Sequence, residues 1–197
     1  MKRKEKLLLS FLLVGVLGGL AGLGVFGAFS STTTNANNSI TAGTVVIGDN
    51  DANSALYSVT NRKPGDSVTG CIKVTYTGSL GADVHIYTTS TIGTLGQYVD
   101  LTITPGTQTG TPAFPSCTGF TADAGGPLFS GTLQSFGSTK TSYATGVVDY
   151  PGTVATSWAT NDAVVYQVTA TLQSGAPDTA QGQTTGSHAF TWEARSQ

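Results

Sequence analysis

A chain of 197 residues with 9 basic and 11 acidic side chains carries a formal charge of −2 and is long enough for one domain with a substantial core. Only 10% of its residues are charged and no basic block follows the first six positions, so the electrostatic footprint of a nucleic-acid binder is missing. Threonine (33 residues) and glycine (26) supply much of the rest, a composition suited to strands and turns because threonine is stiff at χ1.

Lys2, Arg3, Lys4 and Lys6 precede an uncharged run from Leu7 to Phe29. A basic n-region ahead of an apolar stretch predicts an export signal. Val25 and Gly27 offer the small side chains that a signal peptidase accepts, which places cleavage between Gly27 and Ala28. Uncut, the same 23-residue run is long enough to span a bilayer, so a retained hydrophobic transmembrane helix is the other outcome. Membrane contact is expected only through this segment. In both cases the remainder works outside the cytoplasm, as a secreted or cell-surface-associated protein. Loss of residues 1–27 leaves 5 basic and 10 acidic side chains, a charge of −5 that also disfavours anionic membrane surfaces.

Residues 28–197 read as a single domain with 28–40 as a flexible leader. A β-prone run resumes from Ile40 to Ile47. Lys63-Pro64-Gly65-Asp66 predicts a turn, and the clearest strand follows, with Val68, Gly70, Ile72, Val74 and Tyr76 on one face and Thr69, Cys71, Lys73, Thr75 and Thr77 on the other. Val84 and Ile86 mark its partner and Val99 to Thr104 another strand. Residues 105–127, rich in proline and glycine, read as a long irregular loop. A short helical turn between Pro127 and Gly137 would turn Leu128, Phe129, Leu133 and Phe136 inward. Val164, Tyr166, Val168, Ala170 and Leu172 then share one face of a strand, a polar loop covers 174–187, and Ala189 to Ala194 closes the chain. Seven or eight short strands with almost no helical pattern predict an all-β fold, a two-sheet antiparallel sandwich. Periodicity leaves jelly-roll and immunoglobulin-like topologies both open.

Cys71 and Cys117 are the only cysteines. With an export signal they predict one disulfide pinning the 105–127 loop; two reduced, half-buried thiols are the alternative. A hydrolytic zinc site needs three protein ligands, often two histidines one helical turn apart. His85 and His188 are the only histidines and neither sits in that pattern, so both read as ordinary strand residues; a site shared with Asp83 or Glu193 would need a coincidence of folding. Asp49-Asn50-Asp51-Ala52-Asn53 spaces oxygens as calcium loops do, yet Ser54 replaces the sixth-position glycine and Thr60 the twelfth-position glutamate, so an acidic turn is the expectation. No catalytic residue, metal ligand or cofactor is assigned.

Three segments carry a family resemblance: Gly27-Ala28-Phe29-Ser30 with Asn38-Ser39-Ile40-Thr41-Ala42-Gly43-Thr44-Val45; Lys63-Pro64-Gly65-Asp66-Ser67-Val68 with Ile72-Lys73-Val74; and Tyr166-Gln167-Val168-Thr169 through Gln181-Gly182 to Phe190-Thr191-Trp192-Glu193-Ala194. In this order they resemble the TasA/camelysin family of secreted Gram-positive matrix proteins. The resemblance implies a jelly-roll-like sandwich, processing by a dedicated signal peptidase, and, in some members, polymerisation as the N-terminal segment of one subunit enters the sheet of the next. It also brings a metallopeptidase label for which this chain offers no ligand motif. The cysteine pair and the proline-rich loop depart from the family. The reading is a secreted structural protein of a cell surface or matrix, self-associating or meeting other surface proteins, with Ala28, Phe29, Ile40, Val45 and Ile47 as candidate assembly positions. A surface module binding a glycan or protein through loops 105–127 and 174–187 is the alternative; a metal-dependent endopeptidase is a third.

Overall fold

The structure is a computed structural model that describes residues 39–197, together with Lys4. Residues 42–197 form one compact unit. Its strands are β1 (Ile47–Asp49), β2 (Ser67–Tyr76), β3 (Ala82–Tyr87), β4 (Val99–Gln108), β5 (Phe120–Ala122), β6 (Phe129–Thr132), β7 (Val147–Asp149), β8 (Ala163–Leu172) and β9 (Thr191–Ser196), with one short helix, α1 (Leu133–Thr139). Two antiparallel sheets form a sandwich. The larger runs β1-β2-β8-β4-β5, with β6 also pairing β4; the smaller runs β7-β3-β9.

The alternation read in β2 and β8 decides the layers. Ile72, Val74, Tyr76, Val164, Tyr166 and Val168 of the larger sheet are buried with Ala82, Val84 and Ile86 of the smaller one. On the solvent face of the larger sheet, paired hydroxyls line the β2–β8 ladder: Ser67 with Thr171 at 2.8 Å and Thr69 with Thr169 at 3.0 Å. Trp158 is fully buried and donates its indole N–H to the Asp149 carbonyl at 2.8 Å. Its backbone bridges Ala82, which fastens the irregular chain ahead of β8 to the smaller sheet.

Residues 105–127 are more regular than their composition implies. β4 continues through Pro105 to Gln108 and returns as β5, pairing Gly106 with Ala122 and Gln108 with Phe120. Proline is tolerated because of where it falls. β6 leaves β4 at Ile103 and β5 joins it at Gly106, so Pro105 sits in the gap where no ladder N–H is required. Its carbonyl instead accepts the Asp123 N–H at 3.0 Å.

The predicted helical turn is α1, preceded by the short strand β6. Leu133 and Phe136 are buried, and the Thr132 hydroxyl caps the helix by accepting the Ser135 N–H at 3.1 Å. Thr132→Ala is expected to cost about 1 kcal/mol, read as a lower urea midpoint at unchanged slope.

One carboxyl lies inside the sandwich. Asp149 pairs in register with Val84, faces inward and is 6% exposed. Its Oδ2, the Tyr166 hydroxyl and the Trp192 indole N–H are buried without a hydrogen bond of good geometry.

Candidate functional site

The two histidines lie in separate settings, and each is already engaged. On the solvent face of the smaller sheet, His85 stands opposite Glu193 in register. Its Nδ1 lies 2.7 Å from the Tyr143 carbonyl, and its ring stacks on Tyr143 at 4.0 Å between centroids. Glu193 accepts the Tyr87 hydroxyl and the Arg195 Nε–H, each at 2.7 Å. Those hydrogen bonds, Tyr87 first, hold the Glu193 carboxyl below its ordinary range. Asp83 is likewise taken, accepting from Tyr150 at 2.9 Å and Gln197 at 2.7 Å. His188 lies instead beside Tyr57: its Nε2 is 2.8 Å from the Tyr57 hydroxyl and its Nδ1 is 3.1 Å from the Gly186 carbonyl. Burial pushes the Tyr57 hydroxyl well above its ordinary pKa, so it remains a proton donor across the working pH range.

Among the described residues, no three His, Cys, Asp or Glu side chains come together as a metal-ligand set. The donors present do not fit a catalytic zinc, which needs three protein ligands on one ion. The Asp49–Asn53 segment is an acidic turn whose oxygens serve the chain itself: Asp49 accepts the Asp51 N–H at 3.1 Å, Asp51 accepts the Asn53 N–H at 2.6 Å, and Asn50 accepts the Lys73 N–H at 2.8 Å.

Two surface features remain. The first is a cavity of about 470 Å³ between the 57–66 loop, the ends of β2 and β8, and the 176–185 loop. Val68, Leu133 and Ala170 give it an apolar floor, while Arg62, Gln181 and Gln183 stand on its polar side. The Gln183 Oε1 is buried without a partner. A concave space of this size, with an apolar floor and polar walls, has the form of a small-ligand site.

The second is the edge of the larger sheet. β2 is ten residues long, but β1 covers only Val74 to Tyr76 of it. The chain leaves this edge after Asp49 through a turn with Ala52 and Asn53 at positive φ. Along the uncovered stretch, the Pro115 carbonyl accepts the Cys71 N–H at 2.9 Å. Cys71 and Cys117 are bonded to one another, with Cα atoms 5.1 Å apart. The loop carrying Cys117 is held further by the Gln108 side-chain amide, which donates to the carbonyls of Ser116 at 2.8 Å and Thr118 at 3.1 Å. Cys71 and Val165, both on the outer face of the sheet, are buried where this loop is fastened.

The positions read as assembly residues have different surroundings. Val45 and Ile47 pack against the core of their own domain, and Ile40 is fully exposed. Gly27, Ala28 and Phe29 lie outside the described residues, as does the Leu7–Phe29 run. The transmembrane helix read as one outcome is corrected: among the described residues no helix is long and apolar enough to cross a membrane. Sequence reading missed the cavity, the edge caps Asn50 and Pro115, and the buried Asp149. For Asp149 a signal existed, since an acid ends the apolar pair Val147-Val148.

The fold and these features define a two-sheet antiparallel sandwich with one disulfide, an incompletely covered sheet edge and a cavity of mixed polar and apolar lining. Compared with known families, the chain matches the camelysin metallo-endopeptidase family over residues 4–98, about half its length. That links it to the camelysin family generally. No curated protein matches the chain.

Proposed function

We propose that this protein is a secreted structural component of a cell surface or extracellular matrix. In this reading residues 1–27 are a signal removed by a signal peptidase between Gly27 and Ala28, and residues 28–197 are the mature, jelly-roll-like subunit. Subunits associate when the N-terminal segment, residues 28–40, adds as a strand to the sheet of a neighbouring copy. One observation carries the reading: a ten-residue β2 whose β1 partner spans only three residues. Unpaired main-chain groups at such an edge accept an added strand, whose backbone supplies affinity and whose alternating side chains supply register. The full exposure of Ile40 supports its place among the donor side chains. Deletion of Ala28–Asn38 is expected to leave the circular-dichroism spectrum of the fold intact and to abolish fibres in electron micrographs of the mature protein. A folded truncation that polymerises like the intact chain would exclude the donor role.

The cavity beside Tyr57 favours a second reading, a surface module for a small amphipathic ligand with an apolar part over the floor and a group that donates to Gln183. Displacement of an apolar fluorescent probe, lost on Ala170→Trp in the cavity floor, would support it. The peptidase description of the matched family has no counterpart in the donor set above, and no catalytic step is assigned.

A further inference from the structure

We propose that the Cys71–Cys117 disulfide holds the 109–119 loop as a removable guard over the free edge of β2, and that its reduction opens Ser67–Lys73 to the N-terminal segment of a second copy. This rests on the self-association reading above and adds to it the accepting edge and its control.

The direction of the main-chain groups defines that edge. In an antiparallel strand successive residues aim their N–H and C=O to opposite sides. The Tyr76 N–H is met from the β8 side, by Asp162, whereas the N–H groups of Cys71, Lys73 and Thr77 are met by Pro115, Asn50 and Val46. Odd-numbered residues of β2 therefore face the edge. Residues 44–49 occupy its upper part, from Val74 to Ser79. Below Val74, among the described residues, two caps meet it, the Asn50 side chain at Lys73 and the Pro115 carbonyl at Cys71. Ser67 and Thr69 face outward with no strand of the described residues beside them.

Pro115 lies two residues from Cys117, so the cap and the covalent link hold the same stretch of chain. Packing of Phe114 against the core and the two Gln108 hydrogen bonds complete the attachment. The disulfide is its one covalent member. Without it, the cap at Cys71 is an ordinary loop hydrogen bond worth about 1 kcal/mol, which an incoming strand replaces with several. The occupant belongs to another copy because the chain reaches this edge at the Ser79 end and leaves it at Asp49. The chemistry is a two-electron exchange with a dithiol. A thiolate of the dithiol attacks one sulfur, the Cys71–Cys117 bond breaks, its second thiol closes the reductant into a disulfide, and the two protein sulfurs take up the two protons.

The test follows assembly of the mature protein by sedimentation and electron microscopy, oxidised and after treatment with a small dithiol, with circular dichroism as the check on folding. Reduction is expected to speed assembly about fivefold, the equivalent of one edge hydrogen bond removed. Thr69→Pro, which deletes an outward N–H and, on the β8 side, loses only the hydroxyl contact with Thr169, is expected to suppress the reduced protein's assembly, with circular dichroism confirming that the sheet is kept. Phe114→Ala, with the disulfide intact, loosens the guard independently and is expected to accelerate assembly in the oxidised protein. Equal rates in folded oxidised and reduced protein would overturn the guard while leaving self-association standing. If the reduced chain loses its β signal, Phe114→Ala decides: acceleration supports the guard and an unchanged rate overturns it. Failure of every form to assemble would remove the self-association reading and this inference together.

Discussion

Replacing Cys71 and Cys117 together by serine is expected to lower the free energy of unfolding by about 3–4 kcal/mol, the chain-entropy value for a cross-link closing a loop of this length. The bonded residues are 46 positions apart. The loss comes mostly from the unfolded state, which regains the conformations that the link denies it. The folded state adds a smaller share, because Cys71 is 2% exposed on the outer face of β2 and its replacement puts a hydroxyl where a buried sulfur was. For a domain of this size the midpoint of thermal unfolding should fall by roughly 10 °C. Calorimetry of the oxidised protein and the double variant, each shown to be monomeric, provides the measurement. A change below about 1 kcal/mol would mean that the loop is held by Gln108 and Phe114 as firmly as by the disulfide.

Stability should also decline as pH rises from about 4 to about 6, because of Asp149. Burial, chiefly, pushes its carboxyl from 3.8 up to about 6, and the nearby Asp123 charge adds to the rise. The Tyr166 hydroxyl across the sandwich and the Tyr150 backbone N–H offset part of it. A folded-state pKa above the unfolded value means that the folded protein holds its proton more tightly. Within the window the unfolded chain has released a proton that the folded chain retains. Folding is therefore favoured most at the acid end, and the penalty is complete above about pH 6. A shift of this size corresponds to about 3 kcal/mol. Asp149→Asn keeps the shape and removes the titration, so at pH 7.5 it should exceed the parent in stability by about 2 kcal/mol, the remainder being the cost of an amide with no partner. Urea unfolding of both proteins from pH 4 to 8 isolates the effect, since every other titrating group cancels in the difference. Parallel curves would show that Asp149 is solvated in the folded state.

The amino-acid pattern by itself determined the layers of this protein. Alternation in Val68–Tyr76 and Val164–Leu172 specifies which face is buried, because side chains on a strand repeat every two residues and a one-residue slip would expose the whole apolar set. Pro64-Gly65 marked a real turn, with Gly65 at φ 93°, and the spacing of Leu133 and Phe136 marked the inward side of α1. What sequence could not determine were the partners chosen over long separations. That β8 sits between β2 and β4, that Pro105 falls in the gap between β5 and β6, and that residues 44–49 close on their own β2 are outcomes of which edges remain free once the core has assembled. The candidate site is of that second kind. Asn50, Pro115 and Cys117 meet β2 from 23, 44 and 46 residues away, while the walls of the cavity come from loops whose composition is merely polar. Hydrophobic periodicity records burial, a local property. Edge coverage and cavity shape depend on several segments meeting at once, and only the tertiary structure decides them.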